Sequence, residues 1–216
     1  MNPAATARSV WRGVVTSVQP RIRLNRSFDE RSHSYLGYAL HIDGTVDDIE
    51  QSFWVGIGKA AQLKHKFQTG MRIEGKAHEV QDPRMETVAY YKVSALKVVE
   101  AGGALDEKIE PGPPWHGTPP ELTTYRQRGH RRLAAKTYAV NCDTCIWGCM
   151  MPVVMILDQW NRDQRRYRQE AFCHGPKSCP RYRSGPTRKV PGRQGMSHEE
   201  EDWIDEEATA HRGPDE

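Results

Sequence analysis

The first 141 residues of this 216-residue chain contain no cysteine; all five lie in "NCDTCIWGCMMPVV" (141–154) and "FCHGPKSCPRY" (172–182). Such confinement argues against thiols scattered through a core and points to one site. Long apolar runs are missing as well. The longest, "CMMPVVMIL" (149–157), is about half of the roughly 20 residues that a membrane-spanning helix requires, and the opening "MNPAATARSVWRG" lacks the apolar stretch of an export signal. These absences predict a soluble protein with no membrane partner, in a reducing cytoplasm where an odd set of thiols serves as ligands rather than disulfides. No P-loop, G-x-G-x-x-G, H-E-x-x-H or G-x-S-x-G occurs, so no catalytic residue set is legible.

Acids are scarce where bases are dense. Between Tyr125 and Arg193 fifteen Lys and Arg face four acids, a net of +11; from Glu199 to Glu216 nine acids face one arginine, a net of −8. This segregation suggests a polyanion such as nucleic acid as partner of the basic segment. The acidic tail offers a surface to a protein partner, or folds back on the basic one as a weak internal competitor for nucleic acid.

What is present over 8–100 reads as short strands broken by turns. "SVWRGVVTSVQPRIRL" (9–24), "HSYLGYALHID" (33–43) and "QSFWVGIG" (51–58) alternate, with Leu36, Tyr38, Leu40 and Ile42, then Phe53, Val55 and Ile57, on one face. "GKAAQLKHKF" (58–67) changes to helical spacing, with Gly70 expected as its C-cap, before "MRIEGKAHEV" (71–80) and "TVAYYKVSALKVVE" (87–100) return to strand. "AGGALDEKIEPGPPWHGTPPE" then reads as a Pro/Gly-rich linker over 101–120. A Cys-rich module follows over 121–182, with a basic helix at 121–138, and 183–216 reads as a flexible tail, basic then acidic.

The order of three strands, one helix and two strands, with a first strand bent near its middle, resembles the OB-fold, carried by "FWVGIGKAAQLKHKFQTGMRIEGKAHEV". The resemblance covers residues 8–100 only. It implies a five-stranded, partly open barrel whose second and third strands form an oligonucleotide-binding face. Residues of opposite parity to the core then face the ligand: Tyr35 and His41 in strand two, Trp54 in strand three, and Arg21 and Arg23 in the extension of strand one. Aromatics beside arginines suit stacked bases and neutralised phosphates. The arginine-rich "NRDQRRYR" (161–168), with Arg165, Arg166 and Arg168, adds a second cationic element.

The cysteine spacing is Cys142-x2-Cys145-x3-Cys149, then Cys173-x5-Cys179. Two distant pairs can complete a tetrahedral Zn²⁺ site from Cys142, Cys145, Cys173 and Cys179, with Cys149 the spare or an alternative ligand. Between them "MPVVMILDQW" (151–160) is expected as a helix and "RRYRQEAF" (165–172) as a strand returning Cys173 to the first pair. A [4Fe-4S] cluster is the alternative, on Cys142, Cys145 and Cys149 with a remote fourth and either Cys173 or Cys179 the spare, since three clustered cysteines and a remote Cys-Pro are similar to ferredoxin-type ligation. The fold expected is therefore an all-β OB-like N-terminal barrel plus a small α+β metal-stapled C-terminal module. The function expected is binding of single-stranded DNA or RNA without catalysis, with an iron–sulfur electron-transfer or oxidoreductase accessory protein as the competing class.

Overall fold

Alternation with one change of parity gives the chain its longest element. In β1 (Ser9–Arg26) Trp11 and Val15, and beyond the irregularity at Val15–Ser17 also Val18, Ile22 and Leu24, are buried in one core, as a half-covered strand with a bulge requires. The computed structural model describes residues 7–27, 30–102, 112–161, 163–200 and 202–216. Part of the expected linker (103–111), Arg162 and Glu201 lie outside them.

β2 (Arg31–Val46) and β3 (Ile49–Ile57) form a hairpin with β1. The turn between them is Asp47–Asp48, both at positive φ (48° and 66°), the geometry of the primed two-residue turns that match strand twist. After α1 (Lys59–His65) come β4 (Arg72–Glu79) and β5 (Tyr90–Glu100). β4 pairs with β1 and β5, and β5 meets β3 in parallel, so the order β1-β2-β3-β5-β4 returns to β1 as a ring of five strands. The helix ends one turn before the glycine expected to cap it: Lys66 takes the left-handed cap at φ 48°, and Gly70 lies in the following turn.

The rest of the chain continues the same sheet. β7 (Gly148–Ile156) pairs in parallel with the end of β1, Leu24–Arg26 against Val153–Met155, and along its whole length with β8 (Arg165–Cys173), which carries the two-residue β6 (Arg131–Arg132). The helix expected over 151–160 is thus a strand. Its apolar run is buried on both faces between β1 and β8, and a strand with two covered faces shows no alternation that would separate it from a buried helix. Pro152 lies just before the stretch paired with β1, where its missing N–H costs no bond to that strand.

The expected basic helix is real only as α2 (Leu122–Arg128). Gly129 ends it at φ +63°, and a Cβ there would stand 2.2 Å from the carbonyl oxygen of Ala208. The segment read as a flexible tail is folded. β9 (Arg188–Pro191) and β10 (Ser197–Glu200) form a ribbon, and α4 (Asp202–Thr209) follows it. Gly, Pro and charge at 183–196 argue against a core there, and 197–211 reads as one short helix, which α4 matches in part; the charge instead pairs internally, Arg26 with Glu200, Arg132 with Asp202 and Asp205, and Glu170 with both Arg168 and Arg188. Among the described residues no helix is long and apolar enough to cross a membrane.

Candidate metal centre

Four of the five cysteines arrive on two turns flanking β7 and β8. The first turn is built from the short helix α3 (Ala135–Thr137) and a helical turn over Tyr138–Cys142, after which Cys145 N–H donates to Cys142 O (3.2 Å) and Gly148 N–H to Cys145 O (3.0 Å). β1 grips this turn from the side. The Gln19 amide donates to the carbonyls of Cys142, Asp143 and Cys145 at 2.8, 3.0 and 3.0 Å and accepts from the Tyr138 hydroxyl at 2.7 Å, while Ser17 Oγ donates to Asp143 O at 2.9 Å. On its other flank Ile146 N–H donates to Trp115 O and the Tyr125 hydroxyl to Ile146 O. The described end of the expected linker is therefore tied down against the cysteine turn.

The second turn leaves β8 at Cys173 and ends at Cys179. Gly148 is registered opposite Cys173, which brings the two turns together. Gly175 N–H donates to Cys173 Sγ at 3.3 Å. Cys142, Cys145 and Cys173 share one buried cluster with Leu133 and Ala171, ringed by Trp115, Tyr138, Trp147, Met150 and Tyr182. Cys179 is half-buried, and none of the five is in a disulfide. The Cys142 thiol is pushed up to about 12, first by burial and then by the neighbouring thiols of Cys173, Cys145 and Cys179. Burial likewise holds Cys145 up at about 11, against N–H donors from Trp147, Trp115 and Gly148. Among the described residues no three His, Cys, Asp or Glu side chains already stand in an arrangement that could hold a metal ion.

Cys149 belongs elsewhere. Its side chain lies wholly inside the core of the five-strand ring, and its Sγ–H donates to Pro20 O at 3.2 Å. Burial alone drives its thiol far above the ordinary range.

Three arginines surround the second turn, a feature the sequence reading missed. Arg128 Nε donates to His174 O (2.8 Å), Arg212 Nη1 to His174 O and Gly175 O (3.2 and 3.1 Å), and Arg131 Nη2 to Pro176 O (2.9 Å). None of the three forms a salt bridge with an acidic side chain among the described residues, but Arg212 Nη1 also donates to Glu216 O (3.2 Å), and the Glu216 charge acts on Arg128 and Arg212. Buried donors on each are left over: Arg128 Nη2, Arg131 Nε, and Arg212 Nε and Nη2. Burial, then repulsion from Arg128 and Arg131, lowers Arg212 to about 10. Burial raises the Cys173 thiol, while the charges of Arg131 and Arg212 and the Gly175 N–H pull it back down. The only available signal was the run of basic residues, which composition assigns to a surface.

The residues expected to face a ligand divide. Trp54 and His41 stand on the outer face of β3 and β2, ring centroids 4.8 Å apart. Tyr35 does not join them. Leu36 is an extra residue at a bulge, where the partners step from Arg21–Gly37 to Ile22–Tyr35. Gly37 adopts φ +133° there, with no room for a Cβ against Ile57 O at 2.1 Å. One inserted residue reverses the parity that follows it, so Tyr35 packs against the core. Arg21 and Arg23 are claimed by Glu86, at 2.8 and 2.6 Å. Arg165 and Arg166 are exposed on β8, and Arg168 is held by Glu170. Neither a family model, a curated protein nor a solved structure matches the chain.

Proposed function

We propose that the chain is a zinc-stapled protein that binds single-stranded nucleic acid and has no catalytic role of its own, with Cys142, Cys145, Cys173 and Cys179 as the metal ligands. The observation that carries this reading is the charge imbalance around the second turn. Three guanidinium groups with leftover buried donors, of which Glu216 acts on only Arg128 and Arg212, leave an excess of positive charge, and four thiolates about one Zn²⁺ would supply a net −2 at that place. The N–H donors directed at Cys145 and Cys173 favour the same ionised state. Zinc is preferred to an iron–sulfur cluster because Cys149, the third of the clustered cysteines, points into a separate core, leaving two pairs, the pattern of a structural zinc site. Bound zinc would hold the two turns together and so secure the strands that β1 shares with the second lobe.

The nucleic-acid half rests on the ring and its outer face. The pairing order β1-β2-β3-β5-β4-β1, with a helix between β3 and β4, supports an OB-like barrel. Trp54 stands outward, and the turn at 83–87 leads from it toward β8: Ala89 N–H donates to Trp54 O, Gln169 Nε2 to Pro83 O and Glu86 O, and the Arg84 guanidinium lies 4.6 Å above the Tyr167 ring. Arg165 and Arg166 continue that path as exposed cations suited to phosphates.

Metal analysis of protein purified without air tests the first half. The expected result is one zinc per chain and a colourless solution, with the metal lost in Cys173→Ser and retained in Cys149→Ala. A brown protein absorbing near 400 nm, as iron–sulfur thiolate centres broadly do, or zinc lost with Cys149 rather than Cys173, overturns it. Fluorescence titration with oligonucleotides tests the second half. Binding should weaken steeply as salt rises, and absence of binding at low salt refutes it.

A further inference from the structure

Between the outer face of the ring and the first cysteine turn runs a groove of about 170 Å³. One wall is the Trp54 and His41 pair. The other is Asp143 and Thr144, the two residues between Cys142 and Cys145, with Tyr138 and Met150 beside them. We infer that this groove takes one unstacked base of the bound strand and that the Asp143 carboxylate selects a base carrying an exocyclic amino group. The inference rests on the nucleic-acid reading above and adds to it the place and the chemistry of recognition.

Both walls are prepared before any ligand arrives. The His41 ring is fixed by Thr16 Oγ1, 2.7 Å from its Nδ1, so the indole and imidazole present a settled aromatic surface. Stacking on such a surface tolerates every base and gives no selectivity alone. Asp143 supplies it. Its backbone carbonyl is gripped by Ser17 and Gln19, while the residue is exposed and belongs to the groove lining. A carboxylate accepts hydrogen bonds and donates none. It therefore suits the amino group of cytosine and repels the carbonyl oxygen that thymine and uracil carry at the same position. Because Asp143 lies inside the metal-ligand turn, the recognising group is set by the same bonds that hold Cys142 and Cys145.

The test is direct titration of the zinc-loaded full chain with oligo-dC and oligo-dT of equal length at low salt. Oligo-dC should bind tighter by about tenfold, the scale of one good contact between a charged side chain and a base edge. Asp143→Asn, an exposed and nearly isosteric change, should erase most of that preference while the far-ultraviolet dichroism and zinc content stay unchanged. Trp54→Ala should weaken both oligomers, and Trp54→Phe should restore part of the loss. Equal binding of the two oligomers, or a preference untouched by Asp143→Asn, overturns the inference and leaves the nucleic-acid reading standing. Failure of both oligomers to bind at all removes that reading and the inference with it.

Discussion

Replacing Gln19 by leucine keeps the volume of one side chain and removes the grip of β1 on the cysteine turn. The Tyr138 hydroxyl loses its acceptor, which for a buried donor costs about 1–3 kcal/mol. The carbonyls of Cys142, Asp143 and Cys145 each lose one of two bonds, since Cys145 N–H, Ser17 Oγ and Gly148 N–H respectively remain on them. At about 0.5 kcal/mol each for a bond of which a second survives, the low end of the usual range, the total is about 2.5–4.5 kcal/mol. For a chain of this size that should lower the thermal midpoint by about 5–18 °C. If zinc is held as proposed, it should also leave faster under chelator competition, because the turn carrying Cys142 and Cys145 is loosened. Gln19→Glu separates the two roles of the amide. Glutamate can accept from Tyr138 but, when ionised, faces three carbonyls without a donor. Its folded-state pKa is therefore raised above the unfolded value of about 4.3, so its stability should be fullest below that pH and fall as pH rises through the raised value. A Gln19→Leu midpoint within about 1 °C of the parent, with unchanged zinc release, would refute the claim that this side chain secures the turn.

Asp205→Ala leaves the almost wholly buried Arg132 guanidinium with the carbonyls of Pro186 and Glu200 and, as carboxylate partner, the exposed Asp202; the expected loss is about 3–5 kcal/mol, read as a shifted urea midpoint with an unchanged slope. His33 and His130 meet edge to face at 4.9 Å, and burial first, then the charges of Arg31 and Arg26 on His33 and of His174 and His33 on His130, hold their pKa values down, to about 4 for His33 and well below the ordinary value for His130. The unfolded chain then binds protons that the folded one refuses, so stability should be level above about pH 6.5 and decline as pH falls toward 4; His33→Phe should flatten part of that decline, and an unaltered slope would show that His33 does not contribute.

Much of the ring could be read because its strands have one wet face. Phe53, Val55 and Ile57 alternate with Ser52, Trp54 and Gly56, and the helix that follows shifts to a different period. β7 gave no such contrast, since Cys149, Met151, Val153 and Met155 face one core and Val154 is covered as well. The four cysteines on the two turns flanking β7 and β8 stand out by spacing, whereas the place of Cys149 depends on the backbone of Pro20, far away in sequence. Tyr35 was misplaced by a single bulged residue, and no property of Leu36 itself announces a bulge. Arg21 and Arg23 look free until Glu86 is brought beside them. The last 34 residues read as solvated because burying charge is costly; what composition could not show is that Arg26, Arg132 and Arg188 each find a carboxylate in the interior.

The length of β1 carries a consequence for how the chain reaches its folded state on the ribosome. The hairpins and short turns that make the ring are mostly local in sequence and can close early. The end of β1, Leu24–Arg26, cannot be completed then, because the strand that covers it, β7, is synthesised much later. Through that interval the ring has an unpaired strand end, the kind of edge that recruits foreign strands. The residues at this end are partly charged, Arg23 and Arg26 flanking Leu24, which limits how well another chain can pair there. Nascent chains arrested before residue 148 should therefore aggregate more readily than chains long enough to include β7, and charge-removing changes at Arg26 should worsen that tendency before the ion pair with Glu200 has formed.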